Sequence, residues 1–441
     1  MQIQLLIILI LICIFNYMIY RGDWIAPALI FSFSFLACVI CACINSNKWK
    51  LDLSYETFKV ILLGVFMFCL GTFVVMIVMR KTNNYISDIK DVQPVNISDF
   101  ILLIFLIFQA LVRIIQFYIM VRNVGVGSMA TIISTYHNWD INHKLIVTSP
   151  IADIGNIICN SAGYILMYIF VSNIFLRRKN SILLVLNLAV CLLGSMLGGF
   201  RTDMFAILIA GVADYFILNN RKNSWRGSAS KRALFTIIVL FVIVVISFKK
   251  VGMMLGRGAD IDYSDYIFTY IGAQIKNLDI FLNGKIKKST VWGQNTLLQL
   301  YGVIDGWFGT SYSYTGNDYH ELYNFVGRHP LGNVYTTFRP FYLDFGLKGV
   351  MIISFLIGAI SQLVYGKTVY KKKRTGGVDY TVIMYSYVFF AIAFLFFSNK
   401  FFEMVISIRL VYYGIGMLLC DILFFKIRFR NDGIVIRIKG E

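Results

Sequence analysis

The sequence predicts an all-α polytopic membrane protein of about eleven transmembrane helices, with one large extracytoplasmic loop that carries short helices. Three observations lead there. Of the 441 residues 58% are hydrophobic and 15% charged, with mean hydropathy +0.71, whereas soluble domains carry about 25% charge. Apolar runs of membrane-spanning length recur along the chain. Lysine and arginine concentrate in alternate connections between those runs.

The runs are 3–20, 26–44, 58–79, 100–121, 151–176, 181–199, 202–218, 233–248, 346–366, 380–398 and 410–425. The first has no basic segment before it and no small-residue cleavage site after it. It is expected to be a retained span rather than a signal peptide. Gly198-Gly199-Phe200-Arg201 separates two runs, and its glycines allow a tight or re-entrant turn. The chain thus divides into 1–248 with spans one to eight, a loop 249–345, and 346–441 with the last three spans and a basic tail.

Arg21, then Arg80, Lys81 and Lys90, Arg177, Arg178 and Lys179, Arg221, Lys222, Arg226, Lys231 and Arg232, Lys367 and Lys371 to Arg374, and the tail from Lys426 to Lys439 form the richer alternating set. The poorer set holds Lys48, Lys50, Arg122, Lys144, Arg201, Lys400 and Arg409. The positive-inside rule assigns the richer set and the C-terminus to the cytoplasm. The N-terminus and the loop 249–345 then face outward. Aromatics in that loop, among them Tyr301, Trp307, Phe308, Tyr312 and Tyr323, are expected to lay it on the membrane surface and to offer rings for sugars.

The net charge of +18 fits this topology and anionic lipid heads, and nucleic acid is excluded as a partner. The eight cysteines lie in apolar runs or at their edges. They give neither a disulfide framework nor metal-ligand spacing, so no metal and no cofactor is expected. Phosphate-loop, dinucleotide and metalloprotease motifs are missing from the sequence.

Polar residues inside spans are costly, about +2.5 to +3.5 kcal/mol for a central arginine. Gln109, Arg113 and Gln116 share one helix face, and Asp153, Asn156 and Asn160 share another. With Arg201, Asp203, Asn399, Lys400 and Arg409 they lie in the outer half. They predict a water-accessible cavity open to the outside. The plainer alternative is that Arg113 and Asp153 pair across neighbouring helices.

The densest stretch is 327–349, GRHPLGNVYTTFRPFYLDFGLKG. Arg328 and Arg339 offer forks for phosphate or carboxylate, and His329 can carry a proton near neutral pH. Asp344 is a second acid or base candidate, or a simple helix cap. Glu321, beside His320, is a weaker one.

These residues carry a resemblance. The Gly199-Phe200-Arg201 turn after a span, the large loop before the last spans, and the run from Asn333 to Gly346 (NVYTTFRPFYLDFG) resemble the Wzy family of O-antigen and capsular polysaccharide polymerases. The resemblance implies an inverting, nucleotide-independent glycosyltransferase of the bacterial plasma membrane, with a fold like the GT-C lipid-dependent transferases. Its substrate would be an undecaprenyl-pyrophosphate-linked oligosaccharide. A flippase and a chain-length regulator would work beside it. An O-antigen ligase-like transferase and a flippase or transporter are the alternatives.

On this chemistry Arg201 and Arg339 are the first candidates for the pyrophosphate, supported by Arg328, Arg409 and Arg113. His329 is the first candidate base, followed by Asp344. Tyr335, Tyr342 and Asn333 are the candidates for sugar binding.

Overall fold

The computed structural model describes residues 1–83, 86–141, 147–225, 263–284, 286, 289–313, 323–370, 377–430 and 433–436. The expected span 233–248, His320 and Glu321 lie outside the described residues. The helices are α1 (Gln2–Ile19), α2 (Pro27–Ile44), α3 (Tyr55–Thr82), α4 (Asp99–Val124), α5 (Met129–Ile141), α6 (Pro150–Phe175), α7 (Ile182–Gly194) and α8 (Thr202–Lys222). They continue as α9 (Tyr263–Asn283), α10 (Leu298–Phe308), α11 (Phe338–Val369), α12 (Tyr380–Ala393), α13 (Lys400–Met404) and α14 (Ile408–Asp421). β1 (Asn324–Val326) pairs antiparallel with β2 (His329–Gly332), and β3 (Ile427–Arg430) with β4 (Gly433–Ile436).

Among the described residues eight helices are long and apolar enough to cross a membrane: α1, α2, α3, α4, α6, α8, α11 and α14 with the turn that follows it. The chain is therefore a multi-pass helical membrane protein. Local chemistry sets several of the helix starts. Ser54 and Ser181 cap α3 and α7 by accepting from the amides of Thr57 and Leu184, and Asp379 caps α12 through Thr381. Pro27 and Pro150 stand in first turns, where a missing amide proton costs nothing.

Glycines bring α3 and α11 into close contact. A Cβ on Gly71 would strike the Phe355 carbonyl, one on Gly358 the Phe68 carbonyl, and one on Gly366 the Met79 side chain. The order of these contacts makes the two helices parallel. In a bilayer, lipid tails are as apolar as leucine, so close backbone approach through small residues is what favours association.

Gly346 (φ 64°, ψ −160°) breaks α11 into 338–345 and 347–369. The first piece does not lie on the surface as expected for the whole loop. Phe338 is fully buried, stacks on Phe35 at 5.0 Å and meets Phe31 edge-on at 6.5 Å. Its ring also touches Gly64, about 13 Å of helix rise into α3. Burial of Phe338 and Phe341 thus draws this segment down among α2 and α3.

The connections sort into two ends. At one, Asp23 accepts from Tyr365 and Asn220, the Ser87 amide donates to the Val369 carbonyl at 2.8 Å, and Arg221 pairs with Asp379 at 3.0 Å with both side chains fully buried. At the other, Ser54 and Thr57 donate to Asp279 at 3.0 and 2.8 Å, and Asn399 donates to the Thr296 carbonyl at 3.1 Å. This is the partition that the alternation of basic residues predicts. We call them the basic end and the loop end.

Candidate functional site

Helix length marks the place. α7 and α12 are 13 and 14 residues long, about 20 Å, against about 30 Å of hydrocarbon. Sequence patterning extends both to 199 and 398. Tertiary contacts end them sooner. Gly194 closes α7 where the Arg113 guanidinium presses against its Cα, leaving no room for a side chain. Beyond α12, the Leu395 carbonyl accepts from the Thr337 amide at 3.0 Å. Irregular backbone at this depth is tolerated where protein covers it or it lines a cavity. Three such breaks, at 195–201, 394–399 and 336–346, all lie toward the loop end.

The arginines around the first break form one network. Arg113 on α4 donates to Gln116 at 3.1 Å, to Asn156, and to Asn160 at 3.2 Å. Asn160 donates onward to Asp203 at 3.3 Å. Asp203 also forms an ion pair with Arg409 of α14, and Arg409 bonds the Tyr413 hydroxyl at 3.2 Å. The alternative pairing of Arg113 with Asp153 is not what forms, since Asp153 is exposed on α6. Arg113 is only 8% exposed, and its Nε makes no hydrogen bond among the described residues. Its direct partners are neutral amides. Desolvating a cation without an anion beside it is expensive, and that expense makes the position a candidate site.

Arg201 stands at the start of α8. It donates to the hydroxyls of Tyr266 at 2.9 Å and Tyr270 at 3.2 Å, both on α9, and lies over their rings at 5.9 and 5.4 Å. Burial, then the neighbouring Tyr270, push the Tyr266 hydroxyl up to about 12 despite Arg201. It therefore stays neutral at physiological pH and accepts from the guanidinium. Tyr270 stacks on Phe397 at 6.0 Å, which links the first break to the second. Gly199, at φ +77°, has no space for a Cβ because His137 occupies it. The His137 ring lies 3.3 Å from the Gly198 carbonyl. Sequence reasoning missed His137, and nothing in the pattern around α5 singles it out.

Arg339 lies 4.4 Å over Tyr335 and 5.3 Å over Phe281. Tyr335 is buried, and its hydroxyl accepts from Asn324 at 2.9 Å. Asn277 of α9 donates to the carbonyls of Leu331, Gly332 and Val334, which fixes the backbone before Arg339. Arg201 and Arg339 thus lean on the same helix at Tyr270 and Phe281, about 16 Å apart along its axis. They are two stations on α9 rather than one clamp.

The remaining candidates are dispersed. Arg328 is exposed in the β1–β2 turn, Asn333 is exposed, and Tyr342 is half-buried. His329 is half-buried in a cleft with Trp49, Thr269 and the Lys48–Asp265 ion pair. Asp344 accepts from Ser289, from the backbone and side chain of Asn295 at 3.2 and 3.0 Å, and from the Thr296 amide at 2.7 Å. Its carboxylate latches 289–296 onto α11.

Fold and site define a polytopic helical membrane protein with buried arginines beneath a covered end. No known family matches the chain, and neither a curated protein nor a solved structure does.

Proposed function

We propose that the chain polymerises undecaprenyl-pyrophosphate-linked oligosaccharide repeat units by inverting glycosyl transfer on the outer face of a bacterial plasma membrane. The observation that carries this reading is the arginine network at the start of α8, where buried Arg113, among the described residues, meets only neutral amides directly. Arg201 and Arg409 stand beside it, and α9 covers Arg201. A site of this kind suits a ligand that brings its own negative charge into the membrane boundary.

The bond from the anomeric carbon of the growing chain to the pyrophosphate breaks, and its electron pair leaves on phosphate oxygen. Arg201, Arg113 and Arg409 stabilise that charge, and Arg339 holds the substrate from its station on α9. An acceptor hydroxyl attacks the anomeric carbon from the opposite face and gives its proton to a base. His329 takes that role, with Asp344 second. Tyr335, Tyr342 and Asn333 bear on the sugars. The positive-inside rule places the basic end and the C-terminus in the cytoplasm.

The test uses purified protein in vesicles with one defined lipid-linked repeat unit and no nucleotide sugar. A ladder of longer glycans with release of undecaprenyl pyrophosphate is expected. Transfer of single units to another acceptor would instead indicate a ligase. Movement of intact units across the vesicle wall would indicate a flippase.

A further inference from the structure

Helix α10 has the sequence LQLYGVIDGWF and not one buried residue. At about 100° per residue, Leu300, Tyr301, Val303, Ile304, Trp307 and Phe308 share one side. Leu300 is 40%, Trp307 67% and Phe308 73% exposed. On the opposite side a Cβ at Gly302 or Gly306 would meet nothing within 4 Å among the described residues. The helix therefore has an open small-residue face and an apolar face on which Leu300, Trp307 and Phe308 are exposed while Tyr301, Val303 and Ile304 are half-buried.

Its one charged residue is withdrawn from the apolar face. Asp305 accepts from Thr310 at 2.6 Å, from the Tyr312 amide at 2.8 Å, and from the backbone of Ser313 at 2.6 Å and its hydroxyl. Burial works against ionisation, and these hydrogen bonds outweigh it and bring the carboxyl down to about 2. The stem is fixed as well. Asp344 holds Asn295 and Thr296, and Tyr301 donates to the Trp292 carbonyl at 2.7 Å. The apolar side is thus displayed on a braced support.

What covers that side follows from what lies next to it. α10 packs against α14, whose Val411, Tyr412, Ile415 and Leu418 are exposed on a helix that spans the membrane. α10 thus stands beside a membrane-spanning helix with an exposed apolar side, at the loop end. We propose that α10 lies in the lipid headgroup boundary of the leaflet at that end. Trp307, Phe308 and Leu300 sit among the upper acyl carbons, and the two glycines face water. Tryptophan favours this boundary, and an amphipathic helix of low charge binds there by its apolar face. Seated so, α10 sets the height of the covering segment above Arg201 and Arg339.

The full chain is reconstituted in vesicles whose lipids carry bromine either near the headgroup or near the chain end. The Trp307 signal is the fluorescence difference between the natural chain and Trp307→Phe. Greater loss of that signal with shallow bromine than with deep bromine, and little loss with aqueous iodide, is the expected result. Loss to iodide without loss to bromine would overturn the proposal, because the face would then be in water. So would disulfide-linked pairs of a Phe308→Cys chain with Trp307 dark to bromine, because a second copy would then cover it. Elution of both variants as the natural chain does confirms that they fold.

Discussion

Arg113 and Asp203 are joined through a single side chain, Asn160, whose oxygen accepts from the guanidinium at 3.2 Å and whose nitrogen donates to the carboxylate at 3.3 Å. The amide passes polarity from one arginine to the ion pair of the other without bringing a second carboxylate in. Asn160→Leu keeps the volume and deletes both bonds. It is expected to cost roughly 1–3 kcal/mol, the range for hydrogen bonds to charged groups, and to lower polymer yield. Thermal unfolding of the purified variant and its glycan ladder are the two measurements. Unchanged values in both would remove Asn160 from the site.

Arg201 is held through two tyrosine hydroxyls and two ring faces, a set that uses the flat guanidinium and not merely its charge. Arg201→Lys is therefore expected to fail nearly as fully as Arg201→Ala, with membrane insertion intact. Arg339→Ala should also abolish polymer. Arg328→Ala, at an exposed turn, should weaken substrate binding and leave turnover near normal. Long glycan chains from either Arg201 variant would count against its catalytic assignment.

Much of the fold is legible from the sequence, because a span is a local property of about 20 consecutive apolar residues. Every expected run within the described residues falls on a helix. Helical periodicity puts Arg113 in one polar stripe and Asn156 and Asn160 in another, and the structure joins the two stripes. Periodicity fails for Asp153, which shares their register yet faces outward. The ends of α7 and α12 are not legible. Arg113 pressing on Gly194 and Thr337 capturing Leu395 are contacts between distant segments. The descent of 336–345 is hidden for a related reason. An aromatic run before a glycine reads as a surface loop until Phe31, Phe35 and Gly64 form a pocket for Phe338.

Asp344 gives a sharper test of role. As the latch for 289–296, its replacement by Ala would leave the backbone amides of Asn295 and Thr296 without their acceptor, at a cost of about 1–3 kcal/mol. The expected signature is faster proteolysis of the segment carrying α10, alongside reduced activity. Lost activity with unaltered proteolysis would instead favour Asp344 as the base.

Packing between α3 and α11 depends on glycine where backbones touch. Gly71→Ala puts a methyl group against the Phe355 carbonyl, and overpacking of this kind costs about 1–3 kcal/mol. Folded yield in detergent should fall, and fall further with Gly71→Leu. The same substitutions at Gly302, where a Cβ has open space, should leave yield unchanged.

Asp23 supplies a pH dependence at the basic end. Burial pushes its carboxyl up to about 7, only partly offset by bonds from Asn220 and the Ile25 amide. The folded value thus exceeds the unfolded one, and the folded state holds the proton more tightly. Its stabilising contribution is complete below about pH 4 and is lost as pH rises through about 7. The melting temperature of the purified chain should therefore decline between about pH 5 and pH 8. Asp23→Asn keeps a neutral side chain at every pH and should flatten that decline. An equal slope in the variant would assign the titration to another group.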